Sequence, residues 1–262
     1  MELIIFTDLD GTLLDHNTYS FEEAKPALEI VNKKNIPLVL CTSKTFDEII
    51  YYQKLLGINE PFIVEDGGAI YIPKNYFDFE FMCQEKKGYF VVELGTDYKS
   101  LREALEDIKK QGFEIIGFGD MNAKEIAQDT GLTLEQAMLA AEREYDEPFK
   151  LVKGDEELLE KLIVRKGLRL SKGGRYYHIT GKNDKGKAVA LLTSLFKKKY
   201  EKEGIITIGI GDSENDFAML DAVEKGYLVK KVDNRFASEN YLKAEGIGPI
   251  GWSKVIEKEV LS

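Results

Sequence analysis

Five short apolar runs punctuate the chain: residues 3–7 (LIIFT), 37–41 (PLVLC), 61–64 (PFIV), 205–210 (IITIGI) and 226–229 (GYLV), each set off by Gly, Pro, Asn or Asp. Runs without alternation describe strands buried on both faces. Between the first three lie stretches of helical length: 21–34, which keeps Ala24, Leu28 and Val31 on one face, and 45–56. A third long helical stretch covers 184–203, just before the last two strands. Strand and helix in alternation predict parallel βαβ units, so the expected fold class is α/β, with a Rossmann-like parallel sheet.

The block between the two halves of this pattern reads differently. Strands are expected near 89–94, 113–117, 168–171 and 175–180, and helices over 98–111, 122–141 and 155–166. "LRLSKGGRYYHITG" alternates around Gly173-Gly174, as an antiparallel hairpin does. The expectation is an inserted α+β domain over 78–181, with a core made of 1–77 and 182–262 and hinges near 76–88 and 180–184. Composition narrows the function. The 262 residues are 44% hydrophobic, enough for a large core, and carry a net charge of −10 without a basic block. Nucleic acid and anionic membrane are therefore not expected partners. No run approaches the ~20 apolar residues of a membrane span, and "MELIIFTDLD" lacks the features of a signal peptide. A cytoplasmic protein is expected. Two cysteines, Cys41 and Cys83, and two histidines, His16 and His178, cannot build a zinc site of ordinary spacing, so any metal must be held by oxygen.

Ligands of open parallel sheets bind beyond the carboxyl ends of the strands. Asp8 and Asp10 follow the first strand, "TSKT" (42–45) the second, and "GDSEND" (211–216) the fourth, while "NDKGK" (183–187) opens the long helix. Residues two apart in extended chain share a side, so Asp8 and Asp10 can face one ligand, and adjacent parallel strands would bring Asp212 to them. Three such carboxylates suit a hard cation such as Mg²⁺. Lys185, Thr42 and Ser43 can hold a phosphate beside a helix N-terminus. Taken singly, "TSKT" also reads as a helix cap through Ser43 or Thr42, and Cys41 as a small buried hydrophobe. Gly246-Ile-Gly248-Pro-Ile-Gly251 satisfies GxGxxG, but it is expected to follow a helical stretch, contains Pro249 and leaves no room for a βαβ unit, so no dinucleotide site is expected.

"DLDGT", "TSK", "NDKGK" and "GDSEND", in that order and on those elements, resemble the four motifs of the haloacid dehalogenase superfamily. The resemblance implies that Asp8 is a nucleophile that becomes an aspartyl phosphate and that Asp10 is the general acid and base. It implies that Thr42 holds the transferring phosphoryl group, that Lys185 neutralises it, and that Mg²⁺ is bound by Asp8, Asp212 and the backbone carbonyl of Asp10, with Asp216 in support. Ser43, Lys44 and Asn183 join as candidate substrate-binding residues. A large cap between the second and third motifs marks the superfamily's sugar-phosphatase type. "PFIVEDGGAIYIPK", "EREYDEPF" and "GGRYYHITGKNDKGKA" resemble its mannosyl-3-phosphoglycerate phosphatase family, which implies a phosphorylated sugar-glycerate as substrate. Arg143 and Arg175 are the cap candidates for the glycerate carboxylate or sugar, or else surface ion pairs. Tyr176 and Tyr177 read as strand core or stacking surface, and His178 as a satisfied cap residue. One departure is Glu65-Asp66-Gly67, where that family usually has Glu-Asn-Gly. Glucosyl-3-phosphoglycerate, sucrose phosphate and hexose phosphates remain alternative substrates, and a phosphomutase or a non-catalytic phosphate-ester binder alternative functions. Oligomeric state is not readable from the residues.

Overall fold

The protein is described here from a computed structural model covering residues 1–173, 176–201 and 204–261; Arg175 lies outside these described residues. The chain runs β1 (Glu2–Thr7), α1 (Lys25–Lys33), β2 (Leu38–Leu40), α2 (Phe46–Leu56), β3 (Phe62–Val64), β4 (Ala69–Pro73), β5 (Gln84–Lys86) and β6 (Tyr89–Glu93). It continues α3 (Tyr98–Lys109), β7 (Glu114–Gly117), α4 (Ala123–Thr130), α5 (Leu134–Ala140), β8 (Asp146–Lys153), α6 (Glu156–Arg165), β9 (Arg169–Gly173) and β10 (Tyr176–Thr180). It closes with α7 (Lys185–Lys199), β11 (Ile205–Gly211), α8 (Phe217–Asp221), β12 (Lys225–Lys230), β13 (Leu242–Ile247) and α9 (Pro249–Leu261).

Among the described residues, one sheet has the order β13-β12-β11-β1-β2 and is parallel throughout. Alternate β1 side chains enter opposite cores, as continuous apolarity requires. Ile5 packs with Leu28, Val31, Trp252 and Ile256 of α1 and α9. Ile4 and Phe6 pack with Ala188, Leu192, Phe196, Met219 and Leu220 of α7 and α8. Each such side chain removed from water contributes roughly 1.5–3 kcal/mol, so the strand ends sit on a stiff base. The insert has its own antiparallel sheet, ordered β7-β8-β10-β9. Phe149 and Ile179 of that sheet meet Leu101, Leu105, Leu159 and Ile163 of α3 and α6. Asp146 and His178 lie on the opposite face of the same strands. The α/β class and the inserted α+β layer are as expected. Among the described residues no helix is long and apolar enough to cross a membrane.

Several local expectations are corrected. Among the described residues, 61–64 pair with the end of the parallel sheet only through the bridge Cys41–Ile63; their ladder is antiparallel, to β4 and then β6 and β5. Tyr89–Glu93, read as a strand of the insert, therefore extends this second core sheet, where Val91 fills one core and Phe90 and Val92 the other. The helix expected over 122–141 is two helices. Gly131 caps α4 in a left-handed conformation (φ 83°), and Thr133 starts α5 with a capping box to Gln136. α7 ends at Lys199, short of 203. Neither Thr42 nor Ser43 caps α2: Thr45 does, accepting from the Glu48 N–H while the Glu48 carboxylate accepts from the Thr45 N–H. The glycine run 246–251 begins in the last two residues of β13 rather than after a helix, and Gly251 packs where a Cβ would meet the Gly246 carbonyl at 2.6 Å and Val229 Cγ1 at 2.9 Å.

Candidate active site

The site is assembled where β1, β2 and β11 end. β1 and β11 run parallel in a register that pairs Thr7 with Ile210. The Asp8 N–H then donates to the Ile210 carbonyl at 3.0 Å, which brings Asp8 beside the Asp212 that follows β11. Gly11 turns the chain back at φ 73°, and a Cβ there would lie 3.0 Å from Asp212 Oδ2. Lys185, the first residue of α7, is 1% exposed. Its Nζ reaches Asp216 Oδ1 at 2.7 Å, Asp8 Oδ1 at 3.0 Å and Asp66 Oδ1 at 3.5 Å. Burial opposes the ammonium charge, but Asp216, Asp8 and Asp66 outweigh it and hold the lysine well above its usual value.

Asp8, Asp212 and Asp216, all buried, offer carboxylate oxygens within 4.8 Å of one another, the separation of donors around one cation. Asp216 uses Oδ1 on Lys185 and Oδ2 on the N–H groups of Asp212 and Ser213, at 3.0 and 3.1 Å. Asp212 accepts from Ser213 Oγ through Oδ1. Burial, aided by Asp216, pushes Asp212 up to about 6. Burial also drives Asp8 well above the usual carboxylate range, with Lys185 pulling it back and Asp216, Asp212 and Asp10 adding to the rise. Crowded buried carboxylates of this kind are relieved by a divalent cation. The Asp10 carboxylate stands apart from the three, with Oδ2 2.9 Å from Lys44 Nζ.

The remaining expected residues are distributed as follows. Thr42 is fully buried at the end of β2, its carbonyl accepting from the Asp66 N–H. Ser43 turns its carbonyl to Arg143 Nη1, at 2.8 Å. Arg143 also donates through Nε to the Ala140 carbonyl and lies 3.3 Å from Asp146 Oδ2, so it ties the insert to the core rather than forming a surface ion pair. Asn183 is buried, donates to the Asp66 carbonyl at 3.4 Å and has an Oδ1 with no partner. Cys41 is fully buried, and burial pushes its thiol well up, as befits a core residue.

Three residues were missed from sequence. Glu65 is fully buried and accepts from the Glu144 and Tyr145 N–H groups of the insert, the latter at 2.8 Å. Asp146 is fully buried between Arg143 and His178. Arg169 donates to the Asn183 carbonyl at 3.1 Å, a second clasp between insert and core. The available signal lay in "EDGG". Glu65, Asp66 and Gly67 all have positive φ, and a Cβ on Gly67 would lie 2.2 Å from the Asp184 carbonyl. That tight loop holds Asp66 against Lys185.

His178 Nδ1 sits 2.8 Å from Asp146 Oδ2. Burial lowers its proton affinity, but Asp146 outweighs this and the net direction is upward. The folded chain thus keeps a proton that the unfolded chain loses near pH ~6.5. The pair stabilises the fold below that pH and loses its contribution as pH rises through the raised value. Unfolding free energy is expected to fall from about pH 6.5 upward through this pair, and His178→Gln to flatten the slope. An unchanged slope in urea titrations of the variant would remove His178 as its source.

Residues 5–239 match the family described as haloacid dehalogenase-like hydrolase. The chain belongs to the haloacid dehalogenase-like hydrolases. Over 98% of its length and 96% of the relative, it is 49% identical to a protein of Methanococcoides burtonii named glucosyl-3-phosphoglycerate/mannosyl-3-phosphoglycerate phosphatase. A mannosyl-3-phosphoglycerate phosphatase of Pyrococcus furiosus is 40% identical over 86% of this chain and 90% of its own. A crystal structure from Thermoplasma acidophilum superposes over all of both chains with a TM-score of 0.69 at 18% identity, and so shares the hydrolase fold.

Proposed function

We propose that this hydrolase is a Mg²⁺-dependent phosphatase of mannosyl-3-phosphoglycerate, releasing phosphate and mannosylglycerate, with glucosyl-3-phosphoglycerate as a second substrate. The observation that carries the reading is the buried set Asp8, Lys185, Asp212 and Asp216 at adjoining strand and helix ends, in a chain so close to relatives bearing those names. The second substrate rests on the double name of the Methanococcoides relative.

In this reading Asp8 attacks phosphorus, the bond from phosphorus to the glycerate oxygen breaks, and Asp10 gives that oxygen its proton. Asp10, now a carboxylate, takes a proton from the water that attacks the aspartyl phosphate, which frees phosphate and restores Asp8. Asp8, Asp212 and the Asp10 backbone carbonyl would hold the Mg²⁺. Asp216, whose oxygens are committed to Lys185 and two N–H groups, would orient Lys185 and the Asp212 loop. A bound Mg²⁺ supplies charge neutralisation for the phosphoryl oxygens and relief of the carboxylate crowding. Lys185 and Thr42 complete the cradle for the phosphoryl group, with Ser43 and Asn183 beside it. In the insert, Arg143 and Arg175 are proposed donors to the glycerate carboxylate; Arg143 already spends Nε and Nη1 on Ala140, Ser43 and Asp146, so Nη2 is the donor assigned to substrate.

Phosphate release from mannosyl-3-phosphoglycerate, its glucosyl analogue, sucrose 6-phosphate and mannose 6-phosphate, each with Mg²⁺ and with EDTA, tests this. The two phosphoglycerates should be strongly preferred and EDTA should abolish release. Activity spread over the hexose phosphates would overturn the substrate, and EDTA-insensitive release would overturn the metal.

A further inference from the structure

Lys44 is expected to meet substrate, yet the residue is only 6% exposed and its ammonium is already surrounded. It reaches Asp10 Oδ2 at 2.9 Å and Glu48 Oε1 at 3.4 Å, and lies 5.3 and 5.5 Å from the ring centroids of Tyr19 and Tyr52. Glu48 is itself fixed, because its other oxygen accepts from the Thr45 N–H in the α2 capping box at 2.9 Å. The lysine thus stands immediately before Thr45, the N-cap of a helix whose residues Phe46, Ile49 and Tyr52 are locked in the core. Asp10 presents two unequal oxygens. Oδ2 is tied to Lys44, while Oδ1 is buried without a hydrogen-bond partner.

We propose that Lys44 is a positioning residue for Asp10: it holds the carboxylate by Oδ2 and so aims the unpartnered Oδ1 at the substrate oxygen that must be protonated. The inference rests on the phosphatase reading above. A carboxylate on a single-bond hinge would otherwise rotate and divide its time between both oxygens and solvent, and a proton donor works only within hydrogen-bond reach of its target. The step it serves is balanced within the chain. The bond from phosphorus to the glycerate oxygen breaks, that oxygen keeps the electron pair, and the proton on Asp10 Oδ1 passes to it. An alkyl oxygen needs this proton to leave, whereas a nitrophenolate leaves without one.

The test therefore compares kcat/KM for mannosyl-3-phosphoglycerate and for p-nitrophenyl phosphate, since this ratio reports steps up to departure of the first product. Lys44→Met keeps the stem against Tyr19 and Tyr52 and removes the charge. It should lower kcat/KM about 10²-fold on the alkyl ester and leave the aryl ester within about fivefold. Lys44→Arg should restore most of the loss, and Asp10→Asn should show the same selective pattern as Lys44→Met. Lys44→Gln gives the same comparison if the methionine variant does not fold. Equal losses on both esters, or no loss on either, in a folded Lys44 variant would overturn the positioning role while leaving the Asp10 assignment intact. If Asp10→Asn itself shows no selectivity, the acid role of Asp10 fails and the inference falls with it.

Discussion

Replacing Asp8 with Asn is expected to lower turnover by about 10⁴-fold or more while the chain still folds. Asn has the shape of Asp but lacks the negative charge that attacks phosphorus, and two of the neighbouring carboxylates are already committed, Asp10 to Lys44 and Asp216 to Lys185. Folding should survive, and stability should rise. Burial drives Asp8 well up, and three neighbouring aspartates add to the rise against the pull of Lys185. A neutral side chain removes that conflict, and Lys185 keeps Asp216 and Asp66. A variant that melts at or above the parent temperature and releases no phosphate is the expected result. Retained turnover would refute the nucleophile assignment.

Lys185→Met should damage both fold and activity. The ammonium is the one cation within 3.5 Å of Asp8, Asp66 and Asp216 among the described residues, and Lys185 as a whole is 1% exposed. Removing one partner of a buried ion pair costs about 3–5 kcal/mol because the remaining charges stay buried and unpaired. A fall of that size should appear as a lower urea midpoint with unchanged slope. Mg²⁺ should recover part of it, since a cation among Asp8, Asp212 and Asp216 replaces some of the lost charge. Activity should fall at least ~10³-fold even with Mg²⁺, because the phosphoryl group loses its cationic contact. A variant as stable as the parent would show that Lys185 is not the keystone of the carboxylate cluster.

The core was readable because its physics is local and repetitive. Runs such as LIIFT and IITIGI require a sheet covered on both faces, and the adjacent parallel ends of β1 and β11 gather Asp8 and Asp212 whatever their separation in sequence. What escaped depends on contacts between distant segments. Nothing within Asp146–Lys153 announces a central strand, since DEPFKLVK alternates weakly and contains a proline; its partners β7 and β10 supply the reason it is extended. Leu242–Ile247 likewise gains its strand state from β12. The split of 122–141 was written in Gly131 and Thr133, a turn signal outweighed in the sequence reading by helical periodicity. In the site, Glu65 and Asp146 were missed for a common reason. A buried carboxylate is invisible in a chain with 46 acidic residues until its partners, two N–H groups for Glu65 and an Arg-His pair for Asp146, are seen around it.

The most direct test of the central claim is to trap the covalent intermediate. The protein is mixed with Mg²⁺ and mannosyl-3-phosphoglycerate, quenched in acid within the first turnovers and reduced with borohydride, which converts an acyl phosphate to an alcohol, and the peptides are then read by mass spectrometry. Conversion of Asp8, and of no other carboxylate, in parallel with phosphate release is the predicted result. Phosphate release with Asp8 unmodified, or modification of another residue in its place, would contradict the account.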